Sequence, residues 1–125
     1  MAELSLIEID VLKAELGCLR KQAFTGVLVG VGSIILHFGG PCTLLIQCPF
    51  EVSDGAISKK GHGELRETSV ILFDFLNQHV VDTHVDRTGQ IALEFSERRT
   101  VKIIPDRSGF ESYVLSTPKG VHPVF

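Results

Sequence analysis

Residues 19–48 read LRKQAFTGVLVGVGSIILHFGGPCTLLIQC, and residues 76–105 read LNQHVVDTHVDRTGQIALEFSERRTVKIIP. Laid over one another without a gap, at an offset of 57, the two stretches agree in type: Leu19 with Leu76, Gly32 with Gly89, Leu36 with Leu93, Phe38 with Phe95, Thr43 with Thr100 and Ile46 with Ile103. The exchanges Phe24/Val81, Leu28/Val85, Ile34/Ile91 and Leu44/Val101 are apolar for apolar. Self-similarity at a fixed offset reports architecture, so the chain reads as one unit used twice.

Each unit reads as a helix followed by three strands. In the first, Asp10 can cap a helix whose Leu12, Leu16 and Leu19 form one stripe, ending at Arg20-Lys21. Strands follow over Phe24 to Val31, Ile34 to Phe38 and Cys42 to Cys48, separated by Gly32-Ser33 and Gly39-Gly40-Pro41. Residues 53–65, polar and without period, read as a loop. In the second unit Thr68 or Ser69 can cap a helix running to Leu76, and its apolar residues surround almost the whole circumference, which predicts deep burial. The meander then repeats over His79 to Asp86, Gln90 to Ser96 and Thr100 to Pro105, with a strand Phe110 to Leu115 and a weak segment Val121 to Phe125 after it.

The expected fold is therefore α+β: a single domain over residues 1–125, built by internal duplication of a helix plus three-stranded antiparallel meander. The units span about 9–52 and 66–115, the loop 53–65 lies between them, and both pack around a buried second helix. A length of 125 residues and 44% hydrophobic content suffice for one core. A net charge of −3 with both signs scattered offers no basic stripe, which argues against a nucleic-acid partner. An acidic N-terminus and no apolar run near the roughly 20 residues of a span argue against a signal peptide and a membrane partner. Three cysteines at irregular spacing make no disulfide framework and point to the reducing cytoplasm.

In the second meander Ile91, Leu93 and Phe95 alternate with polar neighbours, as for a sheet wet on one face. The first meander breaks this pattern. Where the second copy has His84, Asp86, Thr88, Ala92 and Lys102, the first has Val27, Val29, Val31, Ile35 and Leu45. These five form a candidate interface, covered by the chain's own segments, by a homodimer mate or by another protein partner.

Chemical groups are sparse. Cys42 and Cys48 share the parity of Leu44 and Ile46 and read as buried thiols; their spacing is no zinc pattern. No two of the five histidines have a spacing that favours a metal site. No nucleophile sits in a recognisable catalytic context. No catalytic residue, metal or cofactor is expected. Lys59-Lys60-Gly61-His62-Gly63 reads as a solvated connector. Glu51, Asp106 and Glu111 could form an acidic rim at the ends of the two units, Phe50 and Phe110 packing beneath.

The run from Phe50-Glu51-Val52 through the apolar helix to Ile91-Ala92-Leu93-Glu94-Phe95, Thr100-Val101-Lys102-Ile103, Pro105-Asp106 and Phe110-Glu111-Ser112-Tyr113, with Gly120 beyond, resembles a family of small uncharacterised bacterial proteins. The chain departs from that pattern at Val121-His122-Pro123-Val124-Phe125, where the family has a glycine-rich hairpin. The resemblance covers about residues 19–120 and implies a small, mostly antiparallel fold with no established activity. The expected function is a non-enzymatic protein-binding module, in its most concrete form a bacterial immunity or accessory protein. The alternative is a small-molecule-binding or hydrolytic protein with its pocket between the sheet and the second helix.

Overall fold

The computed structural model describes residues 3–106 and 110–125; residues 107–109, inside the second predicted unit, lie outside the described residues. Among the described residues ten strands form two antiparallel five-stranded sheets. Helix α1 (Leu6–Leu16) comes first, then β1 (Phe24–Gly30), β2 (Ser33–Phe38), β3 (Thr43–Ile46), β4 (Pro49–Ser53) and β5 (Ser58–His62). A 3₁₀ helix (Arg66–Phe75) leads into β6 (Val80–Val85), β7 (Ile91–Phe95), β8 (Thr100–Ile103), β9 (Tyr113–Thr117) and β10 (Gly120–Val124). The first sheet has the order β1-β2-β3-β9-β10, and the second, read from its other edge, β6-β7-β8-β4-β5. The two orders correspond position by position. Each three-strand meander is completed by a hairpin from the other half of the chain, β9-β10 on the first and β4-β5 on the second.

One hydrophobic cluster unites the inner faces of both sheets. Ile34, Leu36, Leu44, Ile46, Tyr113 and Leu115 come from the first, and Phe50, Ile91, Leu93, Val101 and Ile103 from the second. The Phe24 ring lies 5.4 Å from Phe38 and 6.4 Å from Phe95, which joins the two meanders. The buried Tyr113 hydroxyl donates to the Gly89 carbonyl at 2.6 Å and ties β9 to the β6-β7 turn. An antiparallel bridge between Ala23 and His79 links the segments leading into β1 and β6.

Several elements differ from expectation. The first helix starts at a capping box, Ser5 accepting from the Glu8 amide and Glu8 accepting from the Ser5 amide; Asp10 lies inside the helix. Its buried residues are Ile9, Leu12, Glu15 and Leu16, and a 3₁₀ turn at Gly17–Leu19 carries Leu19 into the core. The second helix is not the buried centre. It winds as a 3₁₀ helix, so residues three apart share a face: Ser69, Leu72 and Phe75 are buried, whereas Val70 and Phe73 are 57% and 47% exposed. Thr68 does not cap it but binds backbone at its start, donating to the Leu65 carbonyl and accepting from the His62 amide.

The supposed loop 53–65 contains β5, which pairs with β4 from Pro49↔His62 to Ser53↔Ser58. Its Lys59 and Lys60 hide the strand from a hydrophobic reading because this is an edge strand, where lysine blocks further pairing. The weak terminal segment is likewise an edge strand, β10, paired with β9. Tyr113, not Phe110, takes the position corresponding to Phe50: it pairs with Ile46 as Phe50 pairs with Ile103. Phe110 is 76% exposed.

Candidate functional site

The decisive local feature is a β-bulge in β1. Its pairing with β2 shifts between Phe24 and Gly26, so that Val27 faces Leu36, Leu28 faces Ile35 and Val29 faces Ile34. One extra residue reverses the facing of every side chain beyond it. Val27 and Val29 therefore lie on the core side with Leu36 and Ile34, and Leu28 turns outward. The same bulge occurs in β6 between Val80 and Asp82, where Thr83 and Val85 turn in and His84 turns out. The gapless match thus slips by one residue in this strand: Leu28 corresponds to His84, and Val29 to Val85.

The five predicted interface residues do not share one face. Val27 packs against the core, Val29 sits at its edge, and Val31, in the β1-β2 turn, is 99% exposed. Ile35 and Leu45 are half-buried and do point outward, opposite the buried Leu36 and Leu44. With Leu28 they belong to a straight cross-strand row: Leu28↔Ile35↔Leu45↔Val114↔Pro123, one residue from each strand of the first sheet. The corresponding row of the second sheet is His84↔Ala92↔Lys102↔Glu51↔Lys60. At equal positions in two sheets of equal order, one outer row is apolar throughout and the other carries four ionisable groups in five. Sequence reasoning missed Leu28, Val114 and Pro123; their signal was the alternation of β9 and β10, obscured by the bulge and by the proline.

At one end of the first sheet, Val31, Gly32, Gln47, Glu64, Phe110, Glu111 and Phe125 border an open cleft of about 570 Å³. Neither α1 nor the 3₁₀ helix supplies a residue to it. Helix α1 packs along β6, and the 3₁₀ helix packs against β1 and β5.

The three residues of the expected acidic rim stand in different surroundings. Glu51 lies between Lys60 and Lys102 on the outer face of the second sheet, Asp106 sits 3.8 Å from His62, and Glu111 borders the cleft just described. The expected Phe-Glu correspondence that placed them together fails because Tyr113, not Phe110, occupies the strand position of Phe50.

Among the described residues, one mixed group is compact enough to hold a metal ion: Asp82, His84 and Glu94, with donor atoms within 4.8 Å of one another. His84 Nε2 lies 3.4 Å from Glu94 Oε2 and 3.8 Å from Asp82 Oδ2. Arg20 Nε already lies 3.0 Å from Asp82 Oδ1. The Thr83 amide hydrogen bond, aided by Arg20, holds the Asp82 carboxyl below its usual range against the effect of burial. The arrangement is a surface ion-pair network, legible in sequence only through the Asp82-x-His84 pair on one strand face.

Between the second sheet and the 3₁₀ helix lies a second cleft of about 110 Å³, lined by Val52, Ile57, Lys59, Asp74, Phe75 and Arg99 among others. Arg99 stands 5.9 Å over the Phe75 ring and donates to the Asp74 carbonyl at 3.1 Å. Cys42 and Cys48 are buried, and burial, reinforced by the charge of Asp106, pushes the Cys48 thiol up to about 12. Among the described residues no helix is long and apolar enough to cross a membrane. The chain matches no protein-family model, no curated protein and no solved structure.

Proposed function

We propose that this protein is a non-enzymatic protein-binding module whose contact surface is the outer face of the first sheet, with a second copy of the chain as its occupant. The observation that supports this reading is the contrast between the rows Leu28–Ile35–Leu45–Val114–Pro123 and His84–Ala92–Lys102–Glu51–Lys60. A face without charge along its central row can stack on its own copy without desolvating an unpaired ion, and two-fold self-association is the commonest oligomeric arrangement. Because the central residues are already half-buried, each gains only about 1 kcal/mol on full burial. A lasting complex must therefore also cover Val31, Phe110 and Phe125 around the neighbouring cleft.

The matching sheet orders support an internal duplication as the origin of this asymmetry, with a charged central row on one copy of the outer face and an apolar one on the other. Resemblance to small bacterial proteins supports the narrower reading of an immunity or accessory protein acting in the cytoplasm, for which the occupant is a cognate toxin or similar partner. The small-molecule alternative has a pocket in the expected place, between the second sheet and the 3₁₀ helix. Its volume of about 110 Å³ is well below the roughly 300–1,000 Å³ of typical ligand sites, which favours the protein-binding reading.

Leu45 and Val114 are register neighbours as Lys102 and Glu51 are. The double variant Leu45→Lys/Val114→Glu therefore writes the second sheet's oppositely charged register neighbours onto the corresponding positions of the first. Sedimentation across a concentration series should show the wild-type chain associating in pairs and the variant remaining a folded monomer. Association that persists in the folded variant would place the contact elsewhere. A wild-type chain monomeric at every concentration would exclude the second copy as occupant.

A further inference from the structure

Cys18 lies in the 3₁₀ turn that follows α1, and Cys42 at the end of the β2-β3 turn, yet their Sγ atoms are 3.0 Å apart. That is closer than non-bonded sulfur atoms ordinarily sit and about 1 Å longer than a disulfide bond. Cys18 is reachable from solvent, Cys42 is buried behind it, and the third cysteine, Cys48, is fully buried in the core. From this geometry we infer that Cys18 and Cys42 are a redox pair that closes into a disulfide when the folded protein meets a small disulfide oxidant.

With oxidised glutathione the chemistry balances in two exchanges. Cys18, as thiolate, attacks one sulfur of the oxidant, forming a mixed disulfide and expelling one glutathione thiolate. Cys42 loses its proton and attacks the Cys18 sulfur, expelling the second glutathione. Two protein thiols are oxidised, one small disulfide is reduced to two thiols, and no other reactant is required. Burial together with the adjacent Cys42 thiol pushes the Cys18 thiol up to about 12, so the first step is slow at neutral pH and accelerates with rising pH.

The cross-link would close a loop containing the whole β1-β2 hairpin and fasten the end of α1 to the turn Gly39-Gly40-Pro41. Among the described residues the polar links of α1 to the first sheet run from Glu15 to the β9-β10 hairpin. The inference does not depend on what occupies the outer face.

The test is incubation of the native wild-type protein with oxidised glutathione, followed by unfolding, alkylation and intact-mass and peptide analysis. Expected is a product lighter by two hydrogens that takes one alkyl group, on Cys48, in place of three. The oxidised form should melt higher, on the order of 10 °C for a loop of this size, and a reductant should remove the shift. Cys48→Ala should still cross-link, and Cys42→Ser should instead accumulate glutathione on Cys18. Three alkylated cysteines, a glutathione adduct that persists on wild-type Cys18, or a disulfide that includes Cys48 would each overturn the assignment. An oxidised form melting no higher than the reduced one would overturn the bracing role.

Discussion

Gly61 is required by a neighbour, not by its own backbone: a Cβ there would stand 2.4 Å from the Phe50 ring, which lies over β5 from the adjoining strand. Gly61→Ala should cost on the order of 1–3 kcal/mol in denaturant unfolding, the range of overpacking, and an unchanged midpoint would show that the ring can move at no cost. Lys21 and Asn77 stand at corresponding places before β1 and β6, both left-handed, with φ of 69° and 68°. Each amide binds across to the other segment, Lys21 to the Val80 carbonyl and Asn77 to the Phe24 carbonyl, both at 2.7 Å. Asn adopts that conformation at less cost than Lys, so Lys21→Gly should stabilise the fold by about 0.5–1 kcal/mol, read as a rise in unfolding midpoint.

The elements at the open sides of the two sheets are held by few polar contacts. Glu15 of α1 accepts from the Thr117 hydroxyl at 2.6 Å and lies 3.2 Å from His122 Nε2, so the helix is pinned to the β9-β10 hairpin. The Thr117 hydrogen bond draws the Glu15 carboxyl below its usual range, opposed by burial and assisted by His122. A depressed folded-state value means stabilisation that is present above the unfolded value near 4.5 and is lost as pH falls through the folded one. Thr117→Val should therefore raise the Glu15 midpoint in a carboxyl NMR titration and reduce the loss of stability on acidification; a midpoint that does not move would assign the shift to another partner. At the other open side the 3₁₀ helix was readable as a helix from its apolar run, but its pitch was not. A run holding Thr68, Val70, Ile71, Phe73 and Phe75 is a weak α-helix former, and three residues per turn leave Val70 and Phe73 outside where a buried α-helix was expected.

Across the whole molecule the exchange of hairpins is the feature with the largest consequence. Each half of the chain supplies three strands to one sheet and two to the other, so neither half holds a complete sheet. Fragments 1–64 and 65–125 should each lack a cooperative thermal transition by circular dichroism and regain one on mixing. A cooperative melt of either fragment alone would show that a three-stranded meander with its own helix suffices.

Alternation and turn glycines determined the two meanders: Ile34, Leu36, Phe38, Ile91, Leu93 and Phe95 are inward as read, and Gly32 and Gly89 mark the turns at φ of 80° and 88°. The burial of Cys42 and Cys48 was legible for the same reason, since strand parity is a local property of period two. What sequence left open was long-range. Pairing of β3 with β9 and of β4 with β8 depends on which edges meet after both meanders have formed, and no residue pattern within a strand encodes that choice. Two bulges, each one residue, moved Leu28 to the outer face and Val27 and Val29 to the inner, because parity beyond a bulge is set by the partner strand. The closeness of Cys18 to Cys42 and the straight apolar row of the first sheet are consequences of that packing, in which residues far apart in the chain become neighbours only once the sheets have closed over one core.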